Sequence, residues 1–499
     1  MTAKTLMIQG TMSSAGKSLL VTGLCRLYTR RGLRVVPFKS QNMSNNAGVT
    51  LDGAEIGRAQ YTQALACGVA PTVDMNPILV KPEAGGHSQV VLMGKPYVSL
   101  EAGSYYQHLD HLWSQATAAL DRLRASNDLV IIEGAGSPAE VNLRKGDIVN
   151  MAVAKYTRSP VLLAGDVDRG GIFAQLLGTL WLLEPEERAL VKGLIVNKFR
   201  GQIDLFYDGV QILEEKGGVP VVGVVPFIHH HIPEEDAVAI EGQNTPRSTA
   251  DEIDIAVVRL PLISNFDDFD PLKAEPGVSV RYIDSLQQIG DASAVILPGS
   301  KSTISDLNWL VSLGLFDALI EYALNGGAVV GICGGYQMLG RLIHDPEQVE
   351  SQREVMVGLS LLPTETFFQP VKATHQAQAA VQGGEGWLAK LHGERLHGYE
   401  IHMGETKLIE GAPWLEIEQR SGEAVSVADG AFNYHGRVWG CYLHGIFQNE
   451  RFRRAWLRSL GWQGEDSGQL FSLEESFDRL ADHLEASLQL DMLDEIIGF

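Results

Sequence analysis

The stretch that most constrains the fold starts at Leu6–Gln9, an apolar run that stops at Gly10. It continues through Thr11-Met12-Ser13-Ser14-Ala15 to Gly16-Lys17-Ser18 and into the helix-like segment 19–30. A strand that turns through glycines directly into a helix aims several backbone N–H groups and the helix N-terminus at one point, which suits phosphate oxygens. Lys17 adds a cation and Ser18 a hydroxyl suited to Mg²⁺. The nucleotide contacts expected from this loop are Gly10, Thr11, Ser14, Ala15, Gly16, Lys17 and Ser18. The usual spacing has glycine at position 11, where this chain has Thr11, with glycine one residue earlier.

The same strand-then-helix alternation recurs. Apolar runs at 6–9, 34–38, 129–133, 160–166, 193–197 and 219–225 are separated by helix-length segments, the βαβ pattern of a parallel doubly wound sheet. It fails between His229 and Ile253, in a polar stretch rich in Pro, Glu and Asn, and resumes at 253–260, 278–282, 294–297, 328–332 and 438–443. The expectation is therefore an α/β protein with two doubly wound parallel-sheet domains, 1–235 and 253–499, joined by a linker at 236–252. Ser472-Leu-Glu-Glu followed by Phe477, Leu480, Leu484 and Leu488 predicts a capped amphipathic helix closing the second domain.

Charge separates the halves. Residues 1–240 carry 22 Lys and Arg against 23 Asp and Glu, whereas 241–499 carry 18 against 38. The acidic second half disfavours nucleic acid and anionic lipid, so a small-molecule substrate is expected and neither nucleic acid nor membrane as a partner. No run of about 18 apolar residues is present, and the chain enters a strand at once, which predicts a cytoplasmic protein. Cys25, Cys67, Cys333 and Cys441 are widely separated, without a C-x-x-C pair, so neither a disulfide framework nor a zinc site is expected.

In the first half, Glu133 ends the apolar run Leu-Val-Ile-Ile-Glu, where a carboxylate is costly without a metal or lysine beside it. Glu133, Ser18 and Asp52 are the expected Mg²⁺ ligands. The loop spacing resembles the dethiobiotin synthetase-like group of ATP-dependent ligases, and by that resemblance Lys39 is a second phosphate-contacting lysine. Partition ATPases of the same broad fold carry a lysine early in the loop, where this chain has Met12. That departure argues against an ATP-controlled partition or binding protein.

In the second half, Gly326-Gly-Ala-Val-Val-Gly-Ile-Cys333-Gly-Gly-Tyr-Gln-Met-Leu-Gly340 reads as a strand, a tight turn bearing a thiol, and a helix. His444 ends a second β-like run, and a thiol paired with imidazole can attack a carboxamide and release ammonia. His435 and Cys441 lie at odd offsets from His444 on a strand and are expected to be structural. Cys333 and His444 together resemble class I glutamine amidotransferases. That resemblance makes Gly334 and Gly299, the latter in Leu297-Pro-Gly-Ser-Lys301, oxyanion donors, and Gln337 a glutamine contact. Most such domains carry glutamate two residues after the histidine. Here Ile446 stands there, which leaves His444 without an evident orienting group.

Over nearly the whole length the chain resembles the cobyric acid synthase branch of the cobyric and cobyrinic acid amidotransferases. The matching blocks include Lys39-Ser-Gln-Asn-Met-Ser, Asp166-Val-Asp-Arg-Gly-Gly-Ile-Phe173 and Gly398-Tyr-Glu-Ile-His-Met-Gly404. The resemblance implies ATP-dependent, glutamine-hydrolysing amidation of the b, d, e and g carboxylates of adenosylcobyrinic acid a,c-diamide, with Mg²⁺ as cofactor. Arg144, Asp147, Asp166, Arg169, Lys198 and Arg200 are its candidate substrate contacts. The rival readings are a cobyrinic acid a,c-diamide synthase-like amidoligase acting on another carboxylic acid, a partition protein with a dead amidotransferase fold, and a thiol peptidase.

Overall fold

In the computed structural model, residues 2–101, 103–235, 252–465 and 472–499 are described. Of the expected linker at 236–252, all but Glu252 lies outside the described residues.

The first sheet runs Val221–Pro226, Val191–Phe199, Val161–Asp166, Lys4–Gly10, Leu129–Glu133, Val35–Phe38, every neighbour parallel. Its strands read as unbroken apolar runs because helices cover both faces; Leu129–Glu133 and Val161–Asp166 are buried at every position. Lys4–Gly10 lies between those two strands, so the loop after it opens at the carboxyl ends of the sheet, where open α/β folds bind ligands. The helix following that loop, α1, spans Lys17–Arg30. A second sheet that the sequence pattern did not predict, Gln41–Met43, Ile78–Pro82, His87–Leu92 and Lys95–Glu101, walls one side of the resulting cleft.

The second unit is built on Val278–Ile283, Ile253–Val258, Ala294–Leu297, Ala328–Ile332 and Val438–Cys441, all parallel, with Ala431–Asn433 antiparallel at the edge. This makes the sheet mixed instead of purely parallel. Two long strands, Thr364–Val381 and Arg395–Leu408, pair antiparallel and organise a further sheet with Leu415–Arg420 and Glu423–Asp429.

The helix Leu473–Ser487, which a last helix Leu490–Ile497 follows, begins with the predicted capping box at Ser472 and Glu475. It does not close the second unit, however: it packs on α1 of the first. Phe477, Leu480 and Leu484 are buried with Leu20 and Leu24, and Leu480 and Leu484 lie directly over Gly23. Burying three such side chains is worth about 1.5–3 kcal/mol each. The half-exposed pairs Arg26–Asp478 and Arg30–Asp482 add about 0–1 kcal/mol each. Apolar burial therefore decides where the helix docks, and charge pattern alone would not have done so.

The two units share a small core in which Ala47, Val49, Leu79 and Val91 meet Tyr399 and Ile401. Lys372 of the long antiparallel pair reaches Glu55 at 2.5 Å, and Lys301 reaches Glu83 at 2.6 Å. Among the described residues no single helix is long and apolar enough to cross a membrane.

Candidate active site

The cleft at the end of the first sheet has a volume of about 1000 Å³ and is lined by Ser14, Gly16, Lys17, Ser18 and Lys39. Gly16 has φ +89°, and a Cβ there would lie 2.2 Å from the Asn197 amide nitrogen; this loop position therefore requires glycine. Asn197 donates to the Ala15 carbonyl at 2.8 Å and Lys198 to the Ser14 carbonyl at 2.6 Å, so the end of the strand Val191–Phe199, two places away in the sheet, holds the loop from outside. Gly10 ends its strand beneath Lys17, and Thr11 donates to Gln175 at 3.1 Å.

Lys17 Nζ donates to the carbonyls of Met12 and Gly136 at 3.2 and 3.1 Å. Burial, with Lys39 nearby, lowers its pKa to about 8. Lys39 is buried too, which by itself would favour the neutral amine, but Glu133 at 2.8 Å and Glu235 outweigh this and hold it charged. Ser18 Oγ lies 2.9 Å from a Glu133 oxygen and 2.5 Å from a Glu235 oxygen, with one hydroxyl proton to share between them. Two carboxylates and a hydroxyl thus converge beside two lysines. That hard-oxygen donor set fits Mg²⁺, which binds through one or two carboxylates and completes its shell with phosphate and water.

Glu235 was not anticipated. It follows the His-rich stretch, with no periodicity to mark it, and only the fold returns it to Ser18. Asp52, in contrast, is not part of this cluster. It occupies an exposed turn, hydrogen-bonded to Thr50, and does not line the cleft, because Thr50–Ala54 closes a hairpin facing the second unit.

The candidate substrate contacts divide similarly. Arg144, Asp147, Arg169 and Lys198 line the cleft. Arg169 is exposed there and makes no ion pair among the described residues, whereas Arg144 pairs with Glu184. Asp147 accepts the N–H groups of Val149, Asn150 and Ala152 and so caps the following helix. Asp166 holds Lys198 at 2.9 Å. Arg200 is not on the cleft wall: it lies 3.7 Å over the Phe227 ring and pairs with Asp168 at 2.9 Å.

In the second unit the strand Ala328–Ile332 delivers Cys333 to a turn at φ 53°, ψ −111°, a conformation costly for a residue with a Cβ and characteristic of nucleophile elbows. The helix Gly334–Leu339 then packs so tightly that a Cβ on Gly335 would come within 1.9 Å of the Leu297 carbonyl. Gly299 lies against the His444 ring, and Gly334 against the Ser300 N–H. Cys333, Gly299, Gly334 and His444 therefore meet at one point. Gln337 lines the small cavity beside Cys333 and is braced by Thr303 at 2.9 Å, the Met403 carbonyl at 2.9 Å and Tyr442 at 3.0 Å. Cys441 is buried in the core at the end of the strand Val438–Cys441, and His435 lies on the surface in the turn Tyr434–Gly436, so no run of strand joins His435 to His444.

What holds His444, with Ile446 buried and apolar two residues on, is Asp268. Its Oδ2 lies 2.7 Å from His444 Nδ1, and its Oδ1 accepts the Gly445 N–H at 2.8 Å. Burial opposes a charged imidazole, but Asp268 and Cys333 outweigh it and raise the His444 pKa to about 10. Asp268 sits in the buried turn Phe266–Phe269, 176 residues upstream, so local spacing could not reveal it. The backbones of Tyr399 and His444 exchange hydrogen bonds at 3.1 and 2.9 Å, and the two rings stack at 5.2 Å.

Both halves match family models: a CobQ/CobB/MinD/ParA nucleotide binding domain over residues 6–236, and a CobB/CobQ-like glutamine amidotransferase domain over 254–452. A cobyric acid synthase from Chloroflexus aurantiacus is 55% identical over 499 residues, covering 100% of both chains. One from Roseiflexus castenholzii is 54% identical, covering 98% of each. The chain belongs to the cobyric acid synthase family. A cobyric acid synthase of Herpetosiphon aurantiacus, at 51% over 100% of this chain and 99% of its own, extends the agreement. This membership makes the chain a glutamine-dependent amidoligase that uses ATP, and it excludes the partition-protein and peptidase readings.

Proposed function

We propose that the chain amidates the b, d, e and g carboxylates of adenosylcobyrinic acid a,c-diamide, with Cys333 and His444 making ammonia and the Lys17–Ser18 cleft activating the carboxylate. The observation that carries this is that one chain holds a Cys333–His444–Asp268 array and a separate phosphate loop backed by Lys39 and Glu133.

At the first site the Cys333 sulfur attacks the glutamine carboxamide carbon. The C–N bond breaks as His444 gives its proton to the departing ammonia, and water then cleaves the thioester to glutamate. With its pKa raised to about 10, His444 carries that proton at neutral pH. Gly299 and Gly334 are the backbone donors for the oxyanion.

At the second site a substrate carboxylate oxygen attacks the γ-phosphorus of ATP and the bond to the β-phosphate oxygen breaks, giving an acyl phosphate and ADP. Ammonia then displaces phosphate from the acyl carbon and loses a proton. Lys17 and Lys39 neutralise charge on the transferred group. Ser18, Glu133 and Glu235 would hold Mg²⁺, which supplies further charge neutralisation. Arg169 and Lys198 are the cations best placed to meet substrate carboxylates.

The test is product mass after incubation with ATP, Mg²⁺, glutamine and either cobyrinic acid or its a,c-diamide. Four amide replacements on the diamide support the proposal. Amidation confined to the a and c positions would transfer the chain to the diamide synthase reading, and no mass change with any corrinoid would overturn both.

A further inference from the structure

The glutaminase array is not built from the second unit alone. A helix of the first unit, α2, spans Arg58–Ala66, and its first residue reaches the His444 surroundings. Arg58 is buried; its Nη2 donates to the Tyr399 hydroxyl at 2.5 Å and to the Ala47 carbonyl at 2.7 Å, and its Nε lies 3.2 Å from Asp267. Asn265 completes the junction, donating to the Tyr399 hydroxyl and to Ala47, each at 2.8 Å. The guanidinium thus touches two parts that fix His444. One is the Tyr399 ring stacked on the imidazole. The other is the turn whose next residue, Asp268, binds His444 Nδ1.

Stability does not account for this arginine. A buried ion pair rarely outperforms apolar packing of the same volume, because desolvation offsets the attraction. Here the pair is also incompletely satisfied, since Arg58 Nε and Asp267 Oδ1 have no hydrogen-bond partner among the described residues. What the planar guanidinium provides is direction: its Nη2 edge holds the Tyr399 hydroxyl and the Ala47 carbonyl while its charge sits 3.2 Å from the Asp267 carboxylate.

We propose that Arg58 is a positioning residue for the glutaminase reaction, supplied by the ATP-binding unit, and that it acts through Tyr399 and Asp267 to hold His444 against Cys333. The inference rests on the assignment of Cys333 and His444 as the glutaminase pair. It makes that site complete only when the two units are docked.

The experiment uses the full-length chain and compares wild type with Arg58→Ala, Arg58→Lys and Tyr399→Phe, the last keeping the stacked ring but removing the hydroxyl that Arg58 holds. Glutamate release gives kcat and KM for glutamine, and corrinoid amidation with added ammonia reports the other site. Misplacement of a reacting group by about 1 Å costs up to about a hundredfold. Arg58→Ala should therefore lose about ten- to a hundredfold in kcat with KM for glutamine little changed, Arg58→Lys and Tyr399→Phe should lose less, and ammonia-driven amidation should be retained in all three. Wild-type kcat in both Arg58 variants, or equal losses with glutamine and ammonia, would overturn the inference. Glutamate release that is absent from wild type, or that survives Cys333→Ala, would instead overturn the glutaminase assignment beneath it.

Discussion

Asp268→Asn tests the account at the residue that the sequence did not disclose. The side chain keeps its shape, but its charge and one of its two acceptors are lost. Asp268 now accepts from both His444 Nδ1 and the Gly445 N–H, at 2.7 and 2.8 Å; an asparagine must turn its NH₂ toward one of those donors. A hydrogen bond to a charged group is worth about 1.5–3 kcal/mol, which converts to about ten- to a hundredfold in rate. The pH profile should move as well. Burial pushes the imidazole toward its neutral form, and Asp268 is the main group holding the pKa near 10. The protonated, ammonia-releasing form is thus present below about pH 10 and is lost as pH rises through that value. Without the carboxylate charge, the alkaline limb of glutamate release should fall toward neutrality. Steady-state glutamate release from roughly pH 6 to 10.5 reads both effects, and ammonia-dependent amidation controls for folding. A kcat within twofold of wild type with an unmoved alkaline limb would refute the orienting role of Asp268.

Cys333→Ala should abolish glutamine-dependent amidation while amidation from added ammonia survives, and Lys17→Ala should abolish both; loss of both in the cysteine variant would mean that the division of labour is wrong. The Lys17 pKa of about 8 places its charge below that pH, so ATP affinity of the free protein should weaken as pH rises above about 8, read by equilibrium titration with ATP. Leu484→Ala removes a buried side chain resting on Gly23 and should cost about 2–5 kcal/mol in urea unfolding; a loss below about 1 kcal/mol would contradict docking of the helix Leu473–Ser487 by apolar burial.

What the sequence disclosed follows from the range of the interactions involved. The strands Leu129–Glu133, Ala294–Leu297 and Ala328–Ile332 coincide with their predicted limits because they are buried on both faces and need an unbroken apolar run. The phosphate loop and the Cys333 elbow were visible because a tight turn between strand and helix demands glycine at fixed offsets. Asp268 and Glu235 carry no such mark: each is one carboxylate in a non-periodic stretch, and only long-range packing brings it to His444 or Ser18. The same holds for Arg58, where an arginine after glycine looks like any solvated charge until the second unit covers it. Asp52 failed in the opposite sense, since an aspartate beside glycine in a turn has the same local pattern whether it faces a metal or solvent. The helix Leu473–Ser487 is predicted as an element but not in place, because an amphipathic stripe specifies that a face is buried and not which partner buries it.

The most direct measurement uses glutamine with a heavy amide nitrogen and the corrinoid acid with heavy oxygen in its carboxylates, following both labels through ATP-dependent turnover. Each new amide should carry the heavy nitrogen, and each amidation should transfer one carboxylate oxygen to inorganic phosphate, the signature of an acyl phosphate. Amide formation without heavy oxygen in the phosphate would contradict carboxylate activation at the Lys17–Ser18 cleft.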